Sequence, residues 1–136
     1  MPTTPPVIFT CGHSTRAFDE LTQLLYGQGI TLVVDVRSVP KSRYQPWFNQ
    51  AYLERHLPMR YLWRGDVLGD KALAAVAPDA FGAAIEEVAA FVETECVCIL
   101  CSERDPGPSR WRKTGCHRWH SIAPALQAKG IEVLHL

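Results

Sequence analysis

Cysteine, histidine, carboxylate and arginine side chains gather at the ends of apolar runs in this chain, a pattern suited to thiol, acid–base or anion-binding chemistry. The run Val97-Cys98-Ile99-Leu100-Cys101 releases Ser102, Glu103, Arg104, Asp105 and Pro106 into a charged loop, and Cys116-His117-Arg118 follows where a helix begins. Strands that end in reactive residues just before a helix mark the usual site of an α/β protein. Cys101 is the candidate nucleophile, because a thiolate gains reactivity beside cations or a helix N-terminus, and Arg104, Arg118 and the amides of the last helix supply both. The competing reading is a strand-end cysteine that packs as a small hydrophobe. Cys96 and Cys98, inside the strand, read as packing residues.

Three further residues are candidates for proton transfer. His13, in the turn Gly12-His13-Ser14-Thr15, could serve as a base near neutral pH, or it fills space at a helix entry. Asp35 and Glu103 are acid–base candidates. Equally, they are structural partners that hold Arg37 or Arg118 in place, since a carboxylate beside arginine stays ionised. Arg37, Arg118, His117 and Ser14 are the anion-binding candidates, with the arginines neutralising developing negative charge.

Cys116, His117 and His120 are weak metal candidates: positions 116 and 120, and 117 and 120, share a helix face, and zinc accepts such ligands. No paired Cys-x-x-Cys accompanies them, so Cys101 or His13 would have to complete the set. The cofactor question stays open. A different chemistry is suggested by Lys41 to Phe48, where Arg43, Tyr44 and Trp47 mix cations with aromatics. That combination stacks bases and holds phosphates. Arg60, Tyr61, Trp63 and Arg64 repeat the mixture, as do Trp111, Arg112 and Lys113.

Composition bounds these readings. The chain has 136 residues, 47% of them hydrophobic, which suits one compact domain. Fourteen basic residues balance fourteen acidic ones, so bulk charge gives no attraction to nucleic acid or membrane. Locally, Arg104, Arg110, Arg112, Lys113 and Arg118 form a basic stretch. No apolar run is long enough for a membrane span, and the first residues lack the basic and apolar parts of a signal peptide. The expectation is a cytoplasmic protein, and five cysteines without a regular framework are expected to be thiols.

Elements that would position these residues alternate along the chain. Val7 to Thr10 predicts a strand, and Phe18 onward a helix through Leu21, Leu24 and Leu25. Ile30 to Val36 predicts a buried strand and Asn49 to His56 a short helix. Met59 to Trp63 reads as a weak strand, while Gly65 to Pro78 is ambiguous. Phe81 to Thr94 predicts a helix, Cys96 to Cys101 a strand, Cys116 to Lys129 a helix closed by Gly130, and Ile131 to Leu136 the last strand. The expected fold is therefore a single α/β domain over residues 1–136, with a mainly parallel sheet and helices on both faces. Its strand C-termini would gather the candidate residues in one crevice.

Gly12-His13-Ser14-Thr15, Asp35-Val36-Arg37-Ser38 with Pro40 and Ser42, Phe48-Asn49, Leu68-Gly69, Cys101-Ser102-Glu103-Arg104-Asp105-Pro106 and Cys116-His117-Arg118 occur in that order. Together they resemble the domain of unknown function 488 family over about residues 7–136. The resemblance implies a small α/β bacterial or archaeal protein with a polar site built from these motifs. Cys101-Ser102-Glu103 stands where the family usually has Cys-Ala-Glu, and the loop Pro106 to Gly115 is longer and more basic. A weaker architectural likeness links Asp35-Val36-Arg37 and the late strand-end Cys101 to rhodanese-type domains, although the tight cysteine-to-arginine anion loop is missing. The expected partner is a small anionic, phosphorylated or nucleotide-like ligand, bound or processed in that pocket, and whether the protein is an enzyme stays open. The alternatives are a non-catalytic nucleic-acid-binding module and a rhodanese-like thiol enzyme.

Overall fold

A computed structural model describes residues 4–69, 78–110, 113 and 115–136. Five strands form one sheet in the order β3-β2-β4-β1-β5, and every pairing is parallel. They are β1 (Val7–Gly12), β2 (Leu32–Asp35), β3 (Arg60–Trp63), β4 (Val97–Cys101) and β5 (Glu132–His135). Every residue of β2 and β4 is buried. A parallel strand covered on both faces must be apolar throughout, and Leu32-Val33-Val34 and Val97-Cys98-Ile99-Leu100 meet that demand. The edge strands β3 and β5 are only partly covered. Their sequences are accordingly more polar, which is why β3 reads weakly on its own.

Helices α1 (Phe18–Gly27) and α2 (Gln50–His56) lie on one face. Leu21, Leu25 and Leu53 pack there against Cys11, Val33, Cys98 and Leu100. The opposite face is covered by α4 (Pro78–Phe91) and α5 (Ala123–Gln127), through Ala84, Ile85, Val88 and Leu126 on Ile8, Leu32, Val34 and Ile99. A short turn of helix, α3 (Gly65–Leu68), follows β3. Side chains at successive strand positions point to opposite faces, so this two-sided cover sorts the strand residues into two sets.

The last helix departs from expectation. Residues Arg118–Ile122 form a π-helical turn before α5, and the Ala123 amide donates to the Arg118 carbonyl. Pro124 lies in the first turn of α5. It has no N–H and its ring crowds the carbonyl one turn back. The wider turn removes that conflict, and it also leaves Arg118 fully buried. Part of the ambiguous 65–78 stretch lies outside the described residues, as do Trp111 and Arg112 of the basic loop. Among the described residues no helix is long and apolar enough to cross a membrane.

Candidate functional site

The strand register brings Gly12, Asp35, Trp63 and Cys101 to one end of the sheet. There β1 and β4 stay zipped beyond their ends. The His13 amide donates to the Cys101 carbonyl and the Ser14 amide to the Ser102 carbonyl, both at 2.9 Å. A Cβ on Gly12 would stand 1.7 Å from the Glu103 carbonyl oxygen, so only glycine lets the chain leaving β4 cross here. This strip of backbone divides the candidate residues. They form two groups on opposite faces rather than one crevice.

The first group lies on the α1–α2 face. Asp35, fully buried, takes Arg37 in a two-pronged ion pair, with Nε to Oδ1 at 2.9 Å and Nη2 to Oδ2 at 2.7 Å. The Arg37 amide also donates to Oδ1 at 3.0 Å, and the Tyr61 hydroxyl donates to Oδ2. Residues two apart share a face in extended chain, which is why Asp-Val-Arg makes this pair locally. Burial opposes the Arg37 charge, but the Asp35 bonds outweigh it and hold the guanidinium above its ordinary range. Burial, then the Asp35 charge, pushes the Tyr61 hydroxyl up, so it stays a donor.

His13 is 6% exposed and stacks on Phe48 with ring centroids 4.6 Å apart. Its Nδ1 lies 3.0 Å from the Ser14 carbonyl oxygen. A carbonyl only accepts, so the proton sits on Nδ1 and the lone pair on Nε2. Burial, with a smaller opposing effect of the Ser14 carbonyl, lowers the His13 pKa and favours this neutral ring. Ser14 itself adopts a left-handed φ of 44°, rare for a residue with a side chain, to turn the chain toward α1.

The second group lies on the α4–α5 face. Arg118 donates Nη1 to Thr10 Oγ1 at 2.9 Å and Nη2 to the Glu103 carbonyl at 2.7 Å. Among the described residues no carboxylate pairs with it. Beside it Cys101 and Cys116 are both buried in the same apolar cluster. The neighbouring Cys101 thiol, helped by the amides of Trp119 and Arg118 and by the Arg118 side chain, outweighs burial and lowers Cys116, while Cys116 and then burial push Cys101 up. Gly115, with φ of 75°, makes the turn into the last helix beneath the Pro106 carbonyl.

Other expectations fare differently. Glu103 is exposed, and it is its backbone oxygen that receives Arg118 and, at 3.7 Å, the Cys101 thiol. No group of three potential metal ligands occurs among the described residues. Cys116 is buried, whereas His120 is exposed and bonds the Ser121 hydroxyl at 2.6 Å, so the suggested Cys116, His117 and His120 set does not converge. His117 is buried in the same turn. Trp47 is half-buried against Phe48 and donates to the Arg16 carbonyl, while Tyr44 is 78% exposed with Arg43 5.8 Å above its ring.

Three partners of these groups escaped the sequence reading, which took Tyr61 only as part of an aromatic–basic mixture. Thr10 offered a signal, being a hydroxyl inside an apolar run, which needs a buried partner. It receives Arg118 and pairs with His135. Tyr61 and His135 gave none, because only the register of β3 on β2 and of β5 on β1 brings them in.

The all-parallel five-stranded sheet with helices on both faces defines a single α/β domain. Within that class the chain belongs to the family described as domain of unknown function DUF488, which matches residues 17–119. No curated protein and no solved structure matches the chain.

Proposed function

We propose that the Asp35–Arg37 group binds a small anionic ligand of phosphorylated or nucleotide-like kind, with His13 as the proton acceptor in a catalytic version. One observation carries this reading. Arg37 is 4% exposed, its Nε and Nη2 are committed to Asp35, and its buried Nη1 has no hydrogen-bond partner among the described residues. A buried donor left unpaired costs about 1–3 kcal/mol. A phosphate or carboxylate oxygen offers the missing acceptor and suits the planar guanidinium fork. Asp35 fixes the fork on one side and leaves its other edge to the ligand, while neutral His13 keeps Nε2 free to take a proton.

Thermal unfolding with inorganic phosphate and with AMP tests the reading. At a hundredfold excess over Kd a bound anion stabilises by about 2.7 kcal/mol. The wild type is expected to gain this stabilisation and Arg37→Lys, which keeps the charge but loses the fork, to lose most of it. Equal stabilisation of both proteins, or none by either anion, refutes the proposal.

The exposed Tyr44 ring with Arg43 above it favours a second reading, a base-stacking contact to single-stranded nucleic acid. Under that reading Tyr44→Ala weakens binding of an oligonucleotide severalfold and Arg37→Lys does not.

A further inference from the structure

We propose that Tyr61 is a positioning residue for the anion site: its hydroxyl fixes the Asp35 carboxylate, and through it decides which edge of the Arg37 guanidinium is left for the ligand. This role rests on Arg37 binding an anion, as proposed above.

The Asp35–Arg37 pair does not by itself fix its placement in the site. It spans two residues at the end of β2, and both partners ride on the same short stretch of chain. Oδ1 of Asp35 receives the Arg37 amide and Nε at 3.0 and 2.9 Å, and Oδ2 receives Nη2 at 2.7 Å and Nε at 3.2 Å. All these donors belong to Arg37, so they move with the segment. Among the described residues the Tyr61 hydroxyl is the one donor to this carboxylate from another strand, and it binds Oδ2. Strand β3 pairs with β2 with Tyr61 opposite Val33 and Trp63 opposite Asp35. Tyr61 therefore ties the carboxylate to the sheet rather than to its own loop.

The choice of edge follows from the shape of the guanidinium. Its N–H groups form a planar fork that a carboxylate can engage two-pronged, along the Nε–Nη2 edge or across the Nη1–Nη2 end. The structure has the first arrangement, which leaves Nη1 over. The second would consume the donor that the ligand needs. Oδ1 is already tied by the Arg37 amide, so the orientation of the carboxylate turns on Oδ2, the oxygen that Tyr61 holds.

A second β3 side chain steadies the backbone of the same segment. Trp63 lies two positions beyond Tyr61 and shares its face, and its Nε1 donates to the Arg37 carbonyl at 2.8 Å. Strand β3 thus grips the Arg37 segment at one carboxylate oxygen and one backbone oxygen. A phenylalanine at position 61 would fill nearly the same space without a donor, and an ionised tyrosine would repel Asp35. Burial, and then the Asp35 charge, keep the Tyr61 proton in place.

The test compares the full-length wild type with Tyr61→Phe in NMR titrations with inorganic phosphate and with AMP. The Arg37 Nε–H signal, identified by its loss in Arg37→Lys, reports on the ion pair. In Tyr61→Phe its exchange with water should be severalfold faster, and anion affinity should fall about tenfold, the scale of one hydrogen bond to a charged group. A hydroxyl that only stabilises the fold would lower the melting temperature and leave the exchange rate and the Kd, both measured well below the melt, unchanged. That result overturns the role of Tyr61 and leaves the anion reading of Arg37 standing. Failure of the wild type to bind either anion is the other outcome, and it removes the anion reading together with the role of Tyr61. Should Tyr61→Phe not fold, the wild type decides by itself. With 13C at Cζ of its four tyrosines, the Tyr61 signal, assigned through the backbone resonances, should shift as the anion draws on Arg37. Tyr26, 76% exposed, should stay where it is. A Tyr61 signal that ignores a bound anion refutes the proposal.

Discussion

Two buried arginines, one on each face of the sheet, show how the same side chain produces different chemistry. Arg37 is matched by Asp35, with Tyr61 completing the carboxylate, so its charge is cancelled locally and one edge of its fork remains. Arg118 is held by a hydroxyl and backbone carbonyls, which fix its position without cancelling its charge. The first arrangement pairs charge with charge inside the fold, and the second leaves a fixed cation on the α4–α5 face. Gly12 and the crossing backbone of Glu103 keep them apart.

Removing the carboxylate is the strongest way to break this comparison. Asp35→Ala leaves Arg37 buried without its counter-charge and is expected to destabilise by about 3–5 kcal/mol, read as a fall in the urea midpoint. A loss below about 1 kcal/mol would mean that Arg37 tolerates isolation as Arg118 does, and the contrast would fail.

Gly12→Ala attacks the partition itself. The added methyl meets Glu103 backbone, so β4 or the loop must move, with an expected loss of about 2–3 kcal/mol. Because the strip borders both groups, the His13 ring resonances and the Cys116 labelling rate should change together. A change in one without the other would show that the faces are more independent than the shared backbone implies.

The smallest effect concerns acid. His13 on one face and His135 on the other both have pKa values lowered from the ordinary 6.5, in each case chiefly by burial. Below pH 6.5 the unfolded chain therefore binds more protons than the folded one. Stability from these rings is fully present above that pH and declines as pH falls through the lower folded values. His13→Gln and His135→Gln should each flatten part of the acid limb in thermal melts, and the double variant should flatten more. Unchanged limbs in both single variants would count against buried neutral rings.

Much of the scaffold was legible because its signals are local. The apolar runs Leu32-Val33-Val34 of β2 and Val97-Cys98-Ile99-Leu100 of β4, the Leu21 and Leu25 spacing of α1 and the Gly130 stop, with φ of 82°, each follow from a few neighbouring residues. Asp35–Arg37 is local too, since residues two apart in extended chain share a face. The partners of Arg118 were not legible in this way, because they come from a distant strand and from the chain leaving β4.

The sequence by itself determined the alternation of strands and helices, the parallel α/β class and which residues sit at the strand ends, because hydrophobic periodicity and turn chemistry act over short stretches. Only the tertiary structure decided that these residues divide between two faces, that Tyr61 serves Asp35, and that Arg118 meets Thr10 and the Glu103 carbonyl. Those outcomes depend on strand order, on the side to which each side chain points, and on a π-helical turn forced near Pro124. All three are set by packing between segments far apart in the chain.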